Sequence, residues 1–227
     1  MHHRQKHATF IDRRDVVGLA VGLAALSCFA PQAAAAGKPD VQFIETPKDL
    51  AAWSRKARRY LLKWYPRVAN HLRPGTRPRL PSLKVAVVEY DKFIAFVKDD
   101  TIIVSAPFVR SHLGDLGMLA HEAVHVVQAY PKHKDVWVSE GIADYIRYYV
   151  VEPGSPHAAF DIASDTYRRG YQPAAALLNW LVDTRNPRTI FLLDELLVSG
   201  SYREKFWKKT FGKTADQLWT EFKETRV

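Results

Sequence analysis

The chain has 227 residues, of which 47% are hydrophobic and 25% are charged, with 13 prolines, 11 glycines and one cysteine. This composition is typical of one folded domain with a full hydrophobic core. It excludes a disordered tail protein, a collagen-like repeat and a small protein held together by disulfides. The formal net charge of +9 means that a polyanionic partner must be considered.

The first 36 residues have the order of a secretory signal peptide. A basic segment is followed by an apolar run over residues 16–30 and then by a stretch of small residues that ends near Ala36. The apolar run has about fifteen residues, whereas a transmembrane helix needs roughly 20, so we predict cleavage and no membrane span in the mature chain. Arg13-Arg14 resembles a twin-arginine export signal, and the general secretory route is the alternative. We therefore expect an exported, periplasmic or extracellular bacterial protein whose mature domain is 37–227.

The mature chain predicts an α+β fold, with a small antiparallel sheet packed on a helical part. Residues 37–46 predict an extended leader. Apolar residues spaced three and four apart from Lys48 to Leu72 predict an amphipathic helix with a basic outer face. Three β-type runs separated by polar breaks then predict an antiparallel meander. They are Lys84–Glu89, Phe93–Val97 and Thr101–Ser105.

The second half of the chain predicts helices and little else. After Pro107 the apolar spacing places them near 113–130, 138–151, 160–183, 187–198, 201–210 and 214–225. Neither an internal repeat nor a low-complexity tract interrupts them.

The segment His121-Glu122-Ala123-Val124-His125 carries the strongest chemical signal. Histidines four apart lie one turn apart on the same face of a helix, so both imidazoles can bind one ion. Glu122 then lies beside the ion and can act on a water as a general base, which is the signature of zinc hydrolases. The flanking residues are apolar and predict a buried helix, where two histidines and a glutamate without a metal would carry a desolvation cost. The predicted cofactor is Zn²⁺, held by histidines and a carboxylate because the mature chain has no cysteine.

A catalytic zinc site needs a third protein ligand and one open position. Glu140 follows after a turn, near the start of the next predicted helix, and can point back at the ion. Asp144 lies one turn further on and is placed to accept the second ring N–H of a ligand histidine. Three histidines are rival third ligands that rank below Glu140. They are His112, His133 and His157.

The order of these features resembles zinc metallopeptidases of the gluzincin type, in which a Glu-x-x-x-Asp helix follows the His-Glu-x-x-His helix. More narrowly, the chain resembles the plant and bacterial basic secretory protease family from about Lys48 to Phe222. The resemblance is carried by Leu119–Gln128, by Glu140-Gly141-Ile142-Ala143-Asp144, by Gly170-Tyr171 and by Gly212-Lys213-Thr214-Ala215-Asp216-Gln217-Leu218-Trp219.

The resemblance implies a secreted, zinc-dependent peptidase with a zincin-like helical domain. It makes His121, His125 and Glu140 the metal ligands and Glu122 the base. It also implies a tyrosine that stabilises the tetrahedral intermediate. Tyr171 matches the Gly-Tyr of the secretory proteases, and Tyr167 matches a Tyr-x-Lys-Gly pattern of zinc aminopeptidases. We prefer Tyr171.

Two further expectations concern the substrate and the competing function. The chain lacks a Gly-x-Met-x-Asn-like segment for binding a substrate amine, which favours endopeptidase action on peptide or protein substrates.

The alternative is an exported basic domain in which zinc only stabilises the fold and a Lys/Arg surface binds polyanions or cell wall. Runs such as Arg55-Lys56 and Arg58-Arg59 would serve that function. They lack interleaved exposed aromatic residues, so nucleic acid is not an expected partner.

Overall fold

The computed structural model describes residues 40–74, 80–131 and 134–226, which contain four strands and eight α-helices. The strands are β1 (Val41–Glu45), β2 (Leu83–Val88), β3 (Ala95–Lys98) and β4 (Thr101–Ser105). The α-helices are α1 (Ala51–Leu72), α2 (Ala106–Ser111), α3 (Gly117–Gln128), α4 (Val136–Tyr145), α5 (Tyr171–Thr184), α6 (Thr189–Val198), α7 (Lys205–Phe211) and α8 (Ala215–Glu224). The predicted α+β class is confirmed. The predicted signal peptide and His133 lie outside the described residues.

The sheet is mixed, so the predicted antiparallel meander is wrong. Its strand order is β1-β2-β4-β3, with β1 parallel to β2, β2 parallel to β4, and only β3 antiparallel to β4. Asp99 and Asp100, both at positive φ, form the two-residue turn between β3 and β4. Three of the five β4 side chains are buried and none of the β3 side chains is, so β4 takes the inner position and β3 the edge. The predicted extended leader contains β1.

Helix α3 lies at the centre of the molecule. Every one of its residues except His125 is buried, because it contacts α1 on one side, β3 and β4 on another, and α4 on a third. A helix that is apolar on nearly all sides is stable only in such a position. Helix α1 covers it with a buried stripe that includes Trp53, Leu61 and Leu72, while its basic residues face outward.

Helix α4 is followed directly by a π-helical segment, Ile146–Val151, and packs most extensively against α5. The long helix predicted over 160–183 is wrong in its first half. A 3-10 turn covers Tyr167–Arg169, Gly170 adopts φ 77° and ψ −156°, and α5 begins only at Tyr171. Glycine tolerates this backbone conformation and other residues strongly resist it. Tyr167 and Tyr171 therefore do not share the face of one helix.

A buried arginine ties the start of α3 to the segment after α4. Arg147 is 8% exposed, and its Nη2 donates to Asp115 Oδ1 at 2.6 Å while its Nε lies 3.5 Å from Glu152 Oε2. The same Asp115 oxygen accepts from the backbone N–H of Met118 in the first turn of α3. In the described part of the chain, no helix combines the length and apolarity needed to cross a bilayer.

We expect the substitution Arg147→Met to lower the free energy of unfolding by about 3–5 kcal/mol, because it leaves two largely buried carboxylates without their cation. Urea unfolding measures the change. The matched control is Arg110→Met, which removes an exposed arginine paired with the two exposed carboxylates of Asp49 and Glu89 and should cost less than about 1 kcal/mol. Equal losses in the free energy of unfolding of the two variants would show that Arg147 does not stabilise the junction between the start of α3 and the segment after α4.

Candidate metal centre

Three potential ligand atoms from two helices meet at one point. His121 Nε2 and His125 Nε2, one turn apart on α3, are 3.0 Å from each other. Glu140 Oε2, on the facing side of α4, lies 3.2 Å from the first and 3.3 Å from the second. This trio is the group of metal-ligating side chains that the structure brings together among the described residues.

The chemistry of this set fits a cation. The other ring nitrogen of each histidine already contacts an oxygen, Asp144 Oδ1 at 2.6 Å for His121 and Gln128 Oε1 at 2.8 Å for His125. If those nitrogens carry the ring protons, both Nε2 atoms present lone pairs to each other and to a carboxylate, which is repulsive unless a positive charge lies between them. A tetrahedral ion with ligands at about 2.0–2.1 Å holds its donor atoms about 3.3 Å apart, close to the observed spacings.

Burial and charge act against each other on these groups. Burial would lower the pKa of His121 and His125, but the carboxylates outweigh it, Asp144 foremost at His121 and Glu140 at His125, and both pKa values are raised. Burial would raise the pKa of Glu140, yet the two imidazoles hold it below its usual range. For Glu122, burial dominates and its pKa is raised. The cluster is therefore an environment that attracts positive charge.

The site is mostly buried but not sealed from solvent. The side chains of His121, His125 and Glu140 keep 9%, 14% and 13% of their surface exposed. Glu122 is on α3 directly after His121 and is buried. Three protein ligands with a carboxylate close to them is a set compatible with a catalytic metal site, in which the fourth position is left for water or substrate.

The two candidate tyrosines lie in different surroundings. The ring of Tyr171 stacks on that of His121, with centroids 6.1 Å apart and an interplanar angle of 15°. Tyr167 is 1% exposed, its ring packs edge-on against Trp137, and its hydroxyl donates to Asp216 Oδ1 at 2.6 Å. Of the two tyrosines, only Tyr171 therefore has a described contact with one of the three potential metal ligands.

The rival histidines are elsewhere. His112 stacks on Phe108 at 4.3 Å and hydrogen-bonds with Ser111, on the exposed surface. His157 is exposed in a short 3-10 turn. Neither belongs to the cluster around Glu140.

Two glycines bring the supporting elements close to Glu140. A side-chain carbon at Gly141 would lie 2.8 Å from the Cβ of Ala174, so glycine allows α4 and α5 to approach. A side-chain carbon at Gly170 would lie 3.1 Å from the Cβ of Glu140. Gly170 thus lets the chain turn over Glu140 and begin α5 with Tyr171, itself at a positive φ of 51°.

Residues 49–222 match the model of a family described as peptidase of plants and bacteria. The chain belongs to this family. The resemblance to the basic secretory proteases is thereby confirmed. The family description also makes the chain a peptidase, with peptides or proteins as substrates. None of the curated proteins and none of the solved structures is significantly similar to it, and the zincin-like character of its helical part stays a prediction.

The sequence pattern did not predict a role for two residues that lie next to the potential metal ligands, Gln128 and Gly170. Gln128 contacts His125, and the signal for it was its position three residues further along the same helix, where side chains share a face. Gly170 was noted only as part of a Gly-Tyr pair. Its role depends on how closely Glu140 approaches it, which no local pattern reveals.

We expect Gly170→Ala to weaken divalent-cation binding as well as stability. A methyl group here meets Glu140 and also occupies a strained backbone conformation, at a cost of about 1–3 kcal/mol. The matched control is Gly154→Ala, because Gly154 also has a positive φ but has no atom within 4 Å of its added carbon. Isothermal titration with Zn²⁺ and urea unfolding of both variants measure the two effects. Equal cation affinity in the two variants would show that Gly170 does not position Glu140.

Proposed function

We propose that this family member is an exported zinc endopeptidase in which Glu122 is the general base. The observation that carries the proposal is the meeting of His121 Nε2, His125 Nε2 and Glu140 Oε2 within about 3.3 Å, since two imidazoles and one carboxylate are a ligand set of hydrolytic zinc sites. When bound, Zn²⁺ supplies a Lewis acid that lowers the pKa of water and polarises a carbonyl group.

The protein side chains have separate tasks in this mechanism. Glu122 accepts a proton from the water that attacks the scissile carbonyl carbon, and it then delivers that proton to the nitrogen of the leaving amine. Asp144 accepts the Nδ1–H of His121 and holds that ring in one orientation. The hydroxyl of Tyr171 donates to the carbonyl oxygen as negative charge develops on it.

The contacts of the two tyrosines support Tyr171 over Tyr167 as this donor. The Tyr171 ring is stacked against a metal ligand. The hydroxyl of Tyr167 donates a hydrogen bond to Asp216, which also accepts from Arg168. These two hydrogen bonds hold the 3-10 turn against α8. We assign Tyr167 to this support.

The competing hypothesis is a zinc-stabilised domain that binds polyanions without catalysis. The outward face of α1 is basic and would suit it. A zinc site that only stabilises the fold has no use for a buried glutamate next to a ligand, and this supports the catalytic hypothesis. Salt-sensitive polyanion binding by a zinc-loaded protein that cleaves no substrate would favour the competing hypothesis.

We expect Glu122→Ala to keep zinc but to lower the rate of peptide hydrolysis by a factor of about 10²–10⁴, the usual contribution of a general base. His121→Ala should lose both zinc and activity, and Glu140→Ala should bind zinc more weakly. The measurements are cleavage of an unfolded protein substrate with and without a chelator, and zinc content by atomic absorption.

The control for these variants is Glu224→Ala, which removes an exposed glutamate at the end of α8 and should change neither zinc content nor rate. An active Glu122→Ala enzyme would refute the assignment of the base. An unchanged zinc affinity in Glu140→Ala would return the third-ligand position to another residue.

We expect Tyr171→Phe to lower kcat by a factor of about 10²–10³, as loss of one oxyanion donor does, with zinc affinity unchanged because the ring still stacks on His121. Tyr167→Phe should instead lower the free energy of unfolding by about 1 kcal/mol through loss of its hydrogen bond to Asp216. Steady-state kinetics and urea unfolding of both variants measure this. The reverse pattern would assign the oxyanion role to Tyr167.

A further inference from the structure

Gln128 connects the two helices that carry the potential metal ligands. It is the last residue of α3 and is 3% exposed. Its Oε1 lies 2.8 Å from His125 Nδ1, and its Nε2 donates to the backbone carbonyl of Ser139 at 3.1 Å. Ser139 directly precedes Glu140 on α4, so one side-chain amide contacts a ligand on α3 and the residue beside a ligand on α4.

The orientation of this amide is fixed by the backbone. The carbonyl oxygen of Ser139 can only accept, so the NH₂ end of Gln128 must face it. The oxygen end therefore faces His125, and that oxygen can also only accept. It follows that His125 Nδ1 carries a proton, so that in the neutral ring, the form that binds a metal, the lone pair is on Nε2, which faces His121 and Glu140.

The end of α3 is held in place by a second set of contacts. The backbone carbonyl of Gln128 accepts from Arg73 Nη2 at 3.2 Å, and Arg73 binds both carboxylate oxygens of Asp194 on α6. Asp194 is 1% exposed and also accepts from the hydroxyl of Tyr130. Because the main chain of Gln128 is anchored in this way and its side chain is buried, the side chain has little freedom to leave His125.

We propose that Gln128 is a positioning residue that sets the proton position and ring orientation of His125 and so presents its Nε2 to the metal. The proposal rests on the proposed zinc site. It also accounts for a difference between the two histidines: His121 is backed by the carboxylate of Asp144, whereas His125 is backed by a neutral amide. A neutral acceptor orients the ring without adding another negative charge beside Glu122 and Glu140.

The test compares Gln128→Met with Gln128→Glu in the full-length protein. Methionine has a similar length and fills the space, but it removes the oxygen acceptor for His125. Glutamate keeps that acceptor, loses the donor to Ser139 and adds a negative charge. We expect zinc affinity, measured by competition with a chelator, to fall by a factor of about 10–100 in Gln128→Met and by less in Gln128→Glu. Gln42→Met, at an exposed glutamine on β1, is the matched control and should bind zinc as the wild type does.

A role for Gln128 in packing alone predicts the opposite order. Methionine would then be tolerated, and glutamate, which buries a charge, would be the more damaging substitution. A zinc affinity of Gln128→Met equal to that of the wild type would therefore overturn the proposal.

A measurement on the wild type keeps the test independent of how the variants fold. In a long-range ¹H–¹⁵N spectrum of the zinc-loaded protein, we expect His125 to carry its proton on Nδ1, slowly exchanging with solvent. A proton on Nε2 would overturn the proposal for Gln128. A wild type that binds no zinc at all would instead refute the proposed function, so the two failures are distinguishable.

Discussion

The rest of the structure is arranged around the need to place ionisable groups inside an apolar helix pair. Helix α3 is buried on nearly all sides, yet it carries His121, Glu122 and His125. Groups of this kind are costly inside a protein unless they contact partners of opposite charge or complementary hydrogen-bonding capacity. Helix α4 supplies those partners with Glu140 and Asp144, at 2.6–3.3 Å from the imidazole nitrogens. The pairing of α3 with α4 is thus an electrostatic requirement as well as a packing contact.

The remaining elements fix the position of α3 relative to α4. One end of α3 is tied by Arg147 and Asp115, and the other by Arg73, which binds the Gln128 carbonyl and Asp194. On the far side of α4, the small residue Gly141 lets α5 approach closely. Polar ties at both ends of α3 and close packing behind α4 restrict the ligand atoms to one arrangement, which is the preorganisation that a metal or a reaction site requires.

The family match and the proposed site agree on the hydrolysis of peptide bonds. The match over residues 49–222 makes the chain a peptidase. The site supports a metal-dependent mechanism for this hydrolysis, because three potential ligand atoms meet at a partly exposed point with a buried glutamate alongside. Peptide bonds are hydrolysed when water is activated and the developing oxyanion is stabilised, and the residues around this point are of the types that perform both tasks.

The sequence by itself determined the local features of this protein. The 3.6-residue period predicted the buried helix that presents two histidines on one face, and the spacing to Glu140 and Asp144 placed two carboxylates on the helix that follows. It also predicted the α+β class. Only the tertiary structure decided the strand order with β4 inside, the interruption before α5 that separates Tyr167 from Tyr171, and the contact of Gln128 with Ser139. The physical reason is that periodicity records which face of an element is buried, whereas the identity of the covering element depends on contacts between residues far apart in the chain.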